Sequence, residues 1–145
     1  MAREEEISAV FVDSSIYFAL NNLADPHFRK AHFLAKKLQE KSVRLFTATH
    51  ILLEVTTLLS QRIGHEIAVK FLDDIRDGET TILHPSESLI LEGESLFKKQ
   101  KSKNVSYADC MSFAIMRERN IKVAFSFDQD FKKNGYQLLQ DLIVG

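Results

Sequence analysis

Cysteine is almost missing from this 145-residue chain: Cys110 stands alone. No intrachain disulfide can form, and nothing in the cysteine pattern speaks for an oxidising compartment. Proline and glycine are also scarce, with two and five residues, and no low-complexity tract or linker-like stretch divides the sequence. Charge of one sign is lacking as well, since 19 basic and 20 acidic residues leave a formal net charge of -1. That balance neither announces nor excludes a nucleic-acid partner, because a cluster of carboxylates can hide a basic surface in the sum. No apolar run approaches the roughly 20 residues of a membrane-spanning helix. Residues 1–6 are polar and acidic where a secretory leader would be basic and then apolar. The expectation is a cytoplasmic protein made of a single domain over residues 1–145.

What the chain does have is four carboxylates, far apart in sequence and each in apolar surroundings: Asp13, Glu54, Asp109 and Asp128. Asp13 ends the run Ala9-Val10-Phe11-Val12, and Asp128 follows Val123-Ala124-Phe125-Ser126-Phe127. Glu54 and Asp109 interrupt apolar helical patterns. An isolated carboxylate in such a setting becomes protonated or costs several kcal/mol, so four of them call for a compensating cation. All four offer oxygen, with no histidine or cysteine spaced to join them. His65-Glu66 does not continue into the H-E-x-x-H zinc motif, because Val69 stands where the second histidine belongs. The scattered His27, His32, His50 and His84 read as structural or surface residues. A hard oxygen donor set suits Mg2+ or Mn2+ better than Zn2+.

The hydrophobic pattern alternates strands with helices. The unbroken apolar run at 9–12 is that of a strand covered on both faces, and further strands are expected at 43–48, 80–83, 122–125 and 136–139. Helical spacing predicts a short helix at 16–20 behind Ser14 and Ser15, and a second reaching residue 40 with Asp25-Pro26 as its start. A hairpin of two helices follows, broken at Gly64 and ended at Gly78. Helices over 86–101, from 106 to about 119 and over 129–133 complete the pattern. Such alternation implies an α/β fold, a three-layer α/β/α sandwich around a mainly parallel sheet. Sites in open sheets of this kind form beyond the carboxyl ends of strands, where the winding reverses. Strand order 3-2-1-4-5 is the simplest that brings Asp13 and Asp128 together.

Each carboxylate also has a plainer reading. Asp13 and Asp128 could cap the helices that follow them, although Ser14 and Ser15 could cap without burying a charge. Glu54 lies on the flank of the stripe formed by Ile51, Val55 and Leu58, where a solvated glutamate is ordinary. Asp109 could answer the helix dipole, worth up to about 1 kcal/mol at an exposed site. Its helix is wrapped by apolar side chains nearly all round, however, and a buried helix needs a stronger reason for an aspartate. Asp130 lies close to Asp128 as a supporting group or a cap, and the Ser126 hydroxyl could orient a carboxylate or water. Two stretches are locally basic, Lys98-Lys99-Gln100-Lys101-Ser102-Lys103 and Lys132-Lys133, and either solvated helix ends or phosphate contacts explain them.

Four blocks in order carry a resemblance. Val10-Phe11-Val12-Asp13-Ser14-Ser15, Thr49-His50-Ile51-Leu52-Leu53-Glu54-Val55, Ser106-Tyr107-Ala108-Asp109-Cys110 and Ala124-Phe125-Ser126-Phe127-Asp128-Gln129-Asp130-Phe131 resemble the motifs of PIN-domain nucleases, above all the VapC-like ribonuclease toxins. Asp25-Pro26-His27 fits a segment common in that group. The resemblance spans nearly the whole chain. It implies a five-stranded parallel sheet of the order just deduced, Mg2+ or Mn2+ held by Asp13, Glu54, Asp109 and Asp128, and hydrolysis of RNA that leaves a 5′ phosphate. It also implies frequent homodimers, and an antitoxin partner where the protein is a toxin.

Rival readings fit less well. A PIN-fold RNA-binding or assembly module that cleaves poorly is the alternative. Against it, two carboxylates about 4 Å apart repel by up to ~4 kcal/mol at an effective dielectric near 20, and a degenerate site would have shed some of them. A receiver domain needs an acceptor aspartate after the third strand, where Leu83-His84-Pro85 stands. A haloacid-dehalogenase-type phosphatase needs an aspartate at Ser15.

Overall fold

The apolar runs form a five-stranded, all-parallel sheet of order β3-β2-β1-β4-β5 in a computed structural model that describes residues 3–143. The ends of the domain expected over residues 1–145 lie outside the described residues. The strands are β1 (Ala9–Val12), β2 (Arg44–Ala48), β3 (Thr81–Leu83), β4 (Val123–Phe125) and β5 (Gln137–Leu138). Strand β1 is central and parallel to both neighbours, with Phe11 opposite Phe46 of β2 and Ala124 of β4. Val10 and Phe11 are fully buried, which is why this strand is apolar without alternation.

Helices α1 (Ser14–Leu20) and α2 (Phe28–Glu40) link β1 to β2, and α3 (Thr49–Arg62) and α4 (His65–Asp77) link β2 to β3. The chain then returns across the sheet through α5 (Glu87–Lys99) and α6 (Tyr107–Arg119) to β4. It closes with α7 (Asp130–Lys133), β5 and α8 (Leu139–Leu142). Because parallel crossovers are right-handed, this reversal covers both faces of the sheet with helices and sets the change of winding between β1 and β4.

Departures from the sequence expectations sit at element ends. Helix α2 starts at Phe28 rather than at Asp25-Pro26, because the Asp25 carboxylate accepts from the His27 backbone N–H at 2.8 Å and folds the segment into a turn. Strand β5 is cut to two residues, and α8, absent from the expectations, begins at Leu139. Four residues are too short a segment for helical periodicity to declare itself. Helix α6 packs on α5 at very short range through Gly93, which is buried. A methyl group added there would stand 3.1 Å from the Met111 Cα. The core between the layers is built on Phe11, Ile16, Leu34, Phe125, Phe131 and Leu138, all buried.

Candidate metal centre and active site

The end of β1 delivers Asp13 into the gap beyond the sheet, and α1 begins immediately after it. Asp13 occupies the cap position of α1 but its side chain caps nothing. The carboxylate is instead bound from the neighbouring strand, accepting a 2.8 Å hydrogen bond from the Ser126 hydroxyl. It is 5 % exposed, and burial pushes its pKa up to about 7. The Ser126 and Ser14 hydrogen bonds oppose that rise, while Asp109 and Glu54 add to it. The capping reading of Asp13 therefore finds no support in the geometry.

Beyond β4 the chain makes a tight turn held by its own polar groups and by Ser15. Ser126 Oγ accepts from the Asp128 N–H at 3.0 Å, and Asp128 Oδ1 accepts from the Asp130 N–H at 2.9 Å. Ser15 Oγ accepts from the Phe127 N–H at 3.2 Å, which joins this turn to the start of α1. Asp128 thus spends one oxygen on the turn, but the cap position of α7 is Gln129, so Asp128 does not take the capping role weighed for it. Asp130, in the first turn of α7, is buried at 7 % exposure.

Helix α6 brings Asp109 from a third direction. Ser106 and Asp109 form a capping box, with Ser106 Oγ accepting from the Asp109 N–H and Asp109 Oδ2 from the Ser106 N–H, both at 3.0 Å. The box accounts for an aspartate on an apolar helix more simply than the dipole does, and it takes only one of the two carboxylate oxygens. One turn further on, Ser112 Oγ lies 2.8 Å from His50 Nε2 and ties α6 to the start of α3. Burial holds the His50 pKa down at about 4, so this imidazole is neutral at pH 7.

Asp109, Asp128 and Asp130 converge: one carboxylate oxygen of each can be chosen so that all three lie within 4.8 Å of one another. Burial first, then Asp130 and Asp109, raise the Asp128 pKa against the hydrogen bond from the Asp130 backbone. Glu54 stands apart on the exposed flank of α3. Partial desolvation of its carboxyl group raises its pKa, Asp109 raises it further, and a hydrogen bond with Ser14 pulls the other way. The four carboxylates singled out in the sequence therefore share one electrostatic neighbourhood, but the tight trio contains only two of them. Asp130 completes it, and its signal was the spacing of two residues from Asp128. Sequence alone could not say which of the pair would spend its oxygen on the turn. The rim carries the 25–27 segment as well, where the His27 ring stacks on Phe127 at 4.3 Å.

Carboxylates gathered at the reversal of an open parallel sheet are what the resemblance predicted, and the family comparison decides it: the PIN domain matches residues 10–135. The chain belongs to the PIN domain family. Among curated proteins, this PIN domain is similar to the 23S rRNA-specific endonuclease VapC20 of Mycobacterium tuberculosis, from strains CDC 1551 / Oshkosh and ATCC 25618 / H37Rv. Identity is 32% over 128 residues, which cover 88% of this chain and 95% of the relative. Among solved structures it is similar to the crystal structure of Mycobacterium tuberculosis VapC20, titled a sarcin-ricin loop cleaving toxin. That match has a TM-score of 0.77 and 30% identity over 88% of this chain and 95% of the other. Among the described residues, no helix is long and apolar enough to cross a membrane.

Proposed function

We propose that this PIN domain is a metal-dependent ribonuclease that hydrolyses RNA phosphodiester bonds as the cytoplasmic toxin of a toxin-antitoxin pair. The observation that carries the reading is the convergence of Asp109, Asp128 and Asp130 within 4.8 Å beside the buried Asp13. The family match and the similarity to an endonuclease over 88% of the chain support it. We read residues 1–145 as one domain.

The donor set fits a hard divalent cation. Three carboxylate oxygens at this spacing can close on one ion, and burial, with smaller contributions from neighbouring carboxylates, raises the pKa values of Asp13, Glu54 and Asp128, which a bound cation would lower again. Mg2+ or Mn2+, when bound, supplies a water of lowered pKa and offsets charge developing on the phosphate. Asp109, Asp128 and Asp130 would hold the ion, helped by the nearby Asp13 and Glu54. Ser126 fixes the Asp13 carboxylate, and the Ser106 capping box fixes that of Asp109. In-line attack then expels the 3′ oxygen and leaves a 5′ phosphate. No covalent protein nucleophile takes part.

We extend the proposal to a homodimer and an antitoxin partner. Leu53, Leu91 and Val69, exposed by 64%, 56% and 44%, supply apolar surface for such contacts, and sedimentation at several concentrations tests the dimer. The deciding experiment is cleavage of an end-labelled, mixed-sequence RNA by wild type and Asp109→Asn in Mn2+, Mg2+ and EDTA. Metal-dependent cutting that the substitution abolishes supports the ribonuclease. A folded wild type that binds metal and RNA yet cuts nothing favours the binding-module alternative.

A further inference from the structure

The two basic stretches lie more than 25 residues apart in the sequence, and the fold joins them. Gln100, just past the end of α5, donates from Nε2 to Asn134 Oδ1 at 3.0 Å, and Asn134 follows α7 directly. Asn134 also donates from Nδ2 to the Asp130 carbonyl at 2.8 Å. This clasp sets the lysines at 98–103 beside Lys132 and Lys133, and it anchors both to the residue that completes the acidic trio. At the boundary, Lys133 Nζ lies 3.8 Å from Asp130 Oδ1, so positive surface begins where the carboxylates end.

Helix-end solvation does not account for the whole patch. Lysines in the last turn of a helix answer its dipole, which covers Lys98 and Lys99. Lys101 and Lys103 lie beyond α5, in the segment 100–106 that leads to α6. Lys98 is engaged with Glu94 and Lys132 with Asp141. Among the described residues, Lys99, Lys101 and Lys103 have no carboxylate within ion-pair distance. In the last turns of α5, ahead of these lysines, Phe97 is 43 % exposed and its ring stacks on Tyr107 at 6.1 Å. Unpaired cations and an exposed aromatic ring carried by one segment are the two elements that single-stranded nucleic acid needs, charge along the backbone and a face for an unpaired base.

We infer that Lys99, Lys101, Lys103 and Phe97 form a strip that binds single-stranded or looped RNA and feeds it past Lys133 to the acidic trio. The inference rests on the ribonuclease reading. In it the three lysines take phosphates on one side of the scissile bond and Phe97 takes a base. They are positioning residues, and no bond is made or broken at them.

The test measures Kd of a fluorescein-labelled, mixed-sequence single-stranded RNA for the Asp109→Asn chain in Mg2+ between 50 and 300 mM salt. Adding Lys99→Gln, Lys101→Gln and Lys103→Gln should flatten the slope of log Kd against log salt by about 2, at roughly 0.7 for each phosphate contact to a single strand. Adding Phe97→Ala instead should weaken binding about tenfold at unchanged slope, and only for the single strand, not for the same sequence annealed into a duplex. The same slope change from Lys36→Gln, Lys70→Gln and Lys122→Gln, which lie elsewhere on the surface, overturns the strip. So does an unaltered slope in the first triple variant. A Phe97→Ala chain that changes its sedimentation but not its RNA affinity overturns the base contact and makes that ring a protein interface. No RNA binding by the parent overturns the strip outright, whereas the ribonuclease reading falls only if wild type also fails to cut RNA in Mg2+ and Mn2+.

Discussion

The seam between β2 and β3 and the seam between β1 and β4 share the same parallel pairing, yet the chain finishes them in opposite ways. At the first, the register ends with Ala48 opposite Leu83, and the Thr49 hydroxyl then pairs with His84 Nδ1 and reaches the Leu83 carbonyl. A hydroxyl and an imidazole nitrogen can each donate or accept, so the two groups satisfy one another there. At the second, Val12 lies opposite Phe125, and the next polar groups are Asp13, Ser126, Asp128 and Asp130, with Asp109 brought in by α6. Ionised carboxylates only accept, so they cannot satisfy one another. Their hydrogen bonds come from Ser126 and from backbone N–H groups, and the surplus charge is left for a cation or a proton. The difference teaches that a strand end becomes a reactive site where the fold gathers more like-signed acceptors than it pairs: among the described residues the exposed Lys133 beside Asp130 is the one basic partner of the set.

The largest effect that sharpens this contrast is in catalysis. Asp109→Asn and Asp130→Asn should each cut RNA cleavage by more than about a hundredfold, beyond the ten- to hundredfold typical of groups that only support a metal ligand. Thr49→Val and His84→Ala at the β2–β3 seam should leave cleavage within a few fold. A comparable loss at Thr49 would erase the distinction between the seams. Full activity in Asp130→Asn would return the third position of the trio to Asp13 or Glu54.

Metal-free stability comes next. The folded chain lifts the Asp13 pKa from 3.8 to about 7, so between those values it keeps a proton that the unfolded chain releases. Stability from this group is intact below pH 4 and falls as pH rises through 7, by up to ~4 kcal/mol. Asp13→Asn should remove that slope and stabilise the protein at pH 8 in EDTA, read by urea unfolding at pH 5 and pH 8. A wild type that is no less stable at pH 8 than at pH 5, set against Asp13→Asn, would count against crowding at this seam. Asp109→Asn should raise the melting temperature in chelator by removing a charge that bears on Asp13, Glu54 and Asp128, less the contribution of its capping box.

Ser126→Ala tests the hydrogen bonding that holds the charged seam in place. It should lower cleavage about ten- to hundredfold, because Asp13 and the Asp128 backbone lose one shared partner. The smallest effect is expected at Gly93→Ala, where crowding against Met111 costs about 1–3 kcal/mol, offset in part by the ~1 kcal/mol by which alanine favours a helix. Thermal unfolding with metal present and absent measures it, and an unchanged melting temperature would show that α5 yields.

The sheet was legible in the sequence because its evidence is long-range and redundant. A fully apolar β1, two strand ends carrying aspartate and helices at 3.6-residue spacing admit few orders, and 3-2-1-4-5 is the one observed. Element ends were less legible. The Asp25 turn and the shift of α2 to Phe28 depend on which of two local hydrogen bonds an Asp-Pro pair makes, and propensity does not rank them. The site was legible as a set of carboxylates but not as a geometry. Asp128 and Asp130 are alike in type and two residues apart, and only the packing of the turn assigns one oxygen to the backbone and brings the other residue to Asp109. The Gln100–Asn134 clasp left no sequence signal at all, since an amide pair between two loops has neither period nor motif.

The bare backbone at Gly93 has a mechanical consequence. With no side chain to act as a cushion, α5 cannot slide or roll without pushing on Met111, two residues past Asp109 on α6. Ile90 and Leu91, exposed by 37% and 56%, stand within one turn of that contact on α5. A protein that gripped them and tilted α5 would misalign Asp109 from outside. Such a grip would act on the site as a lever, without entering it.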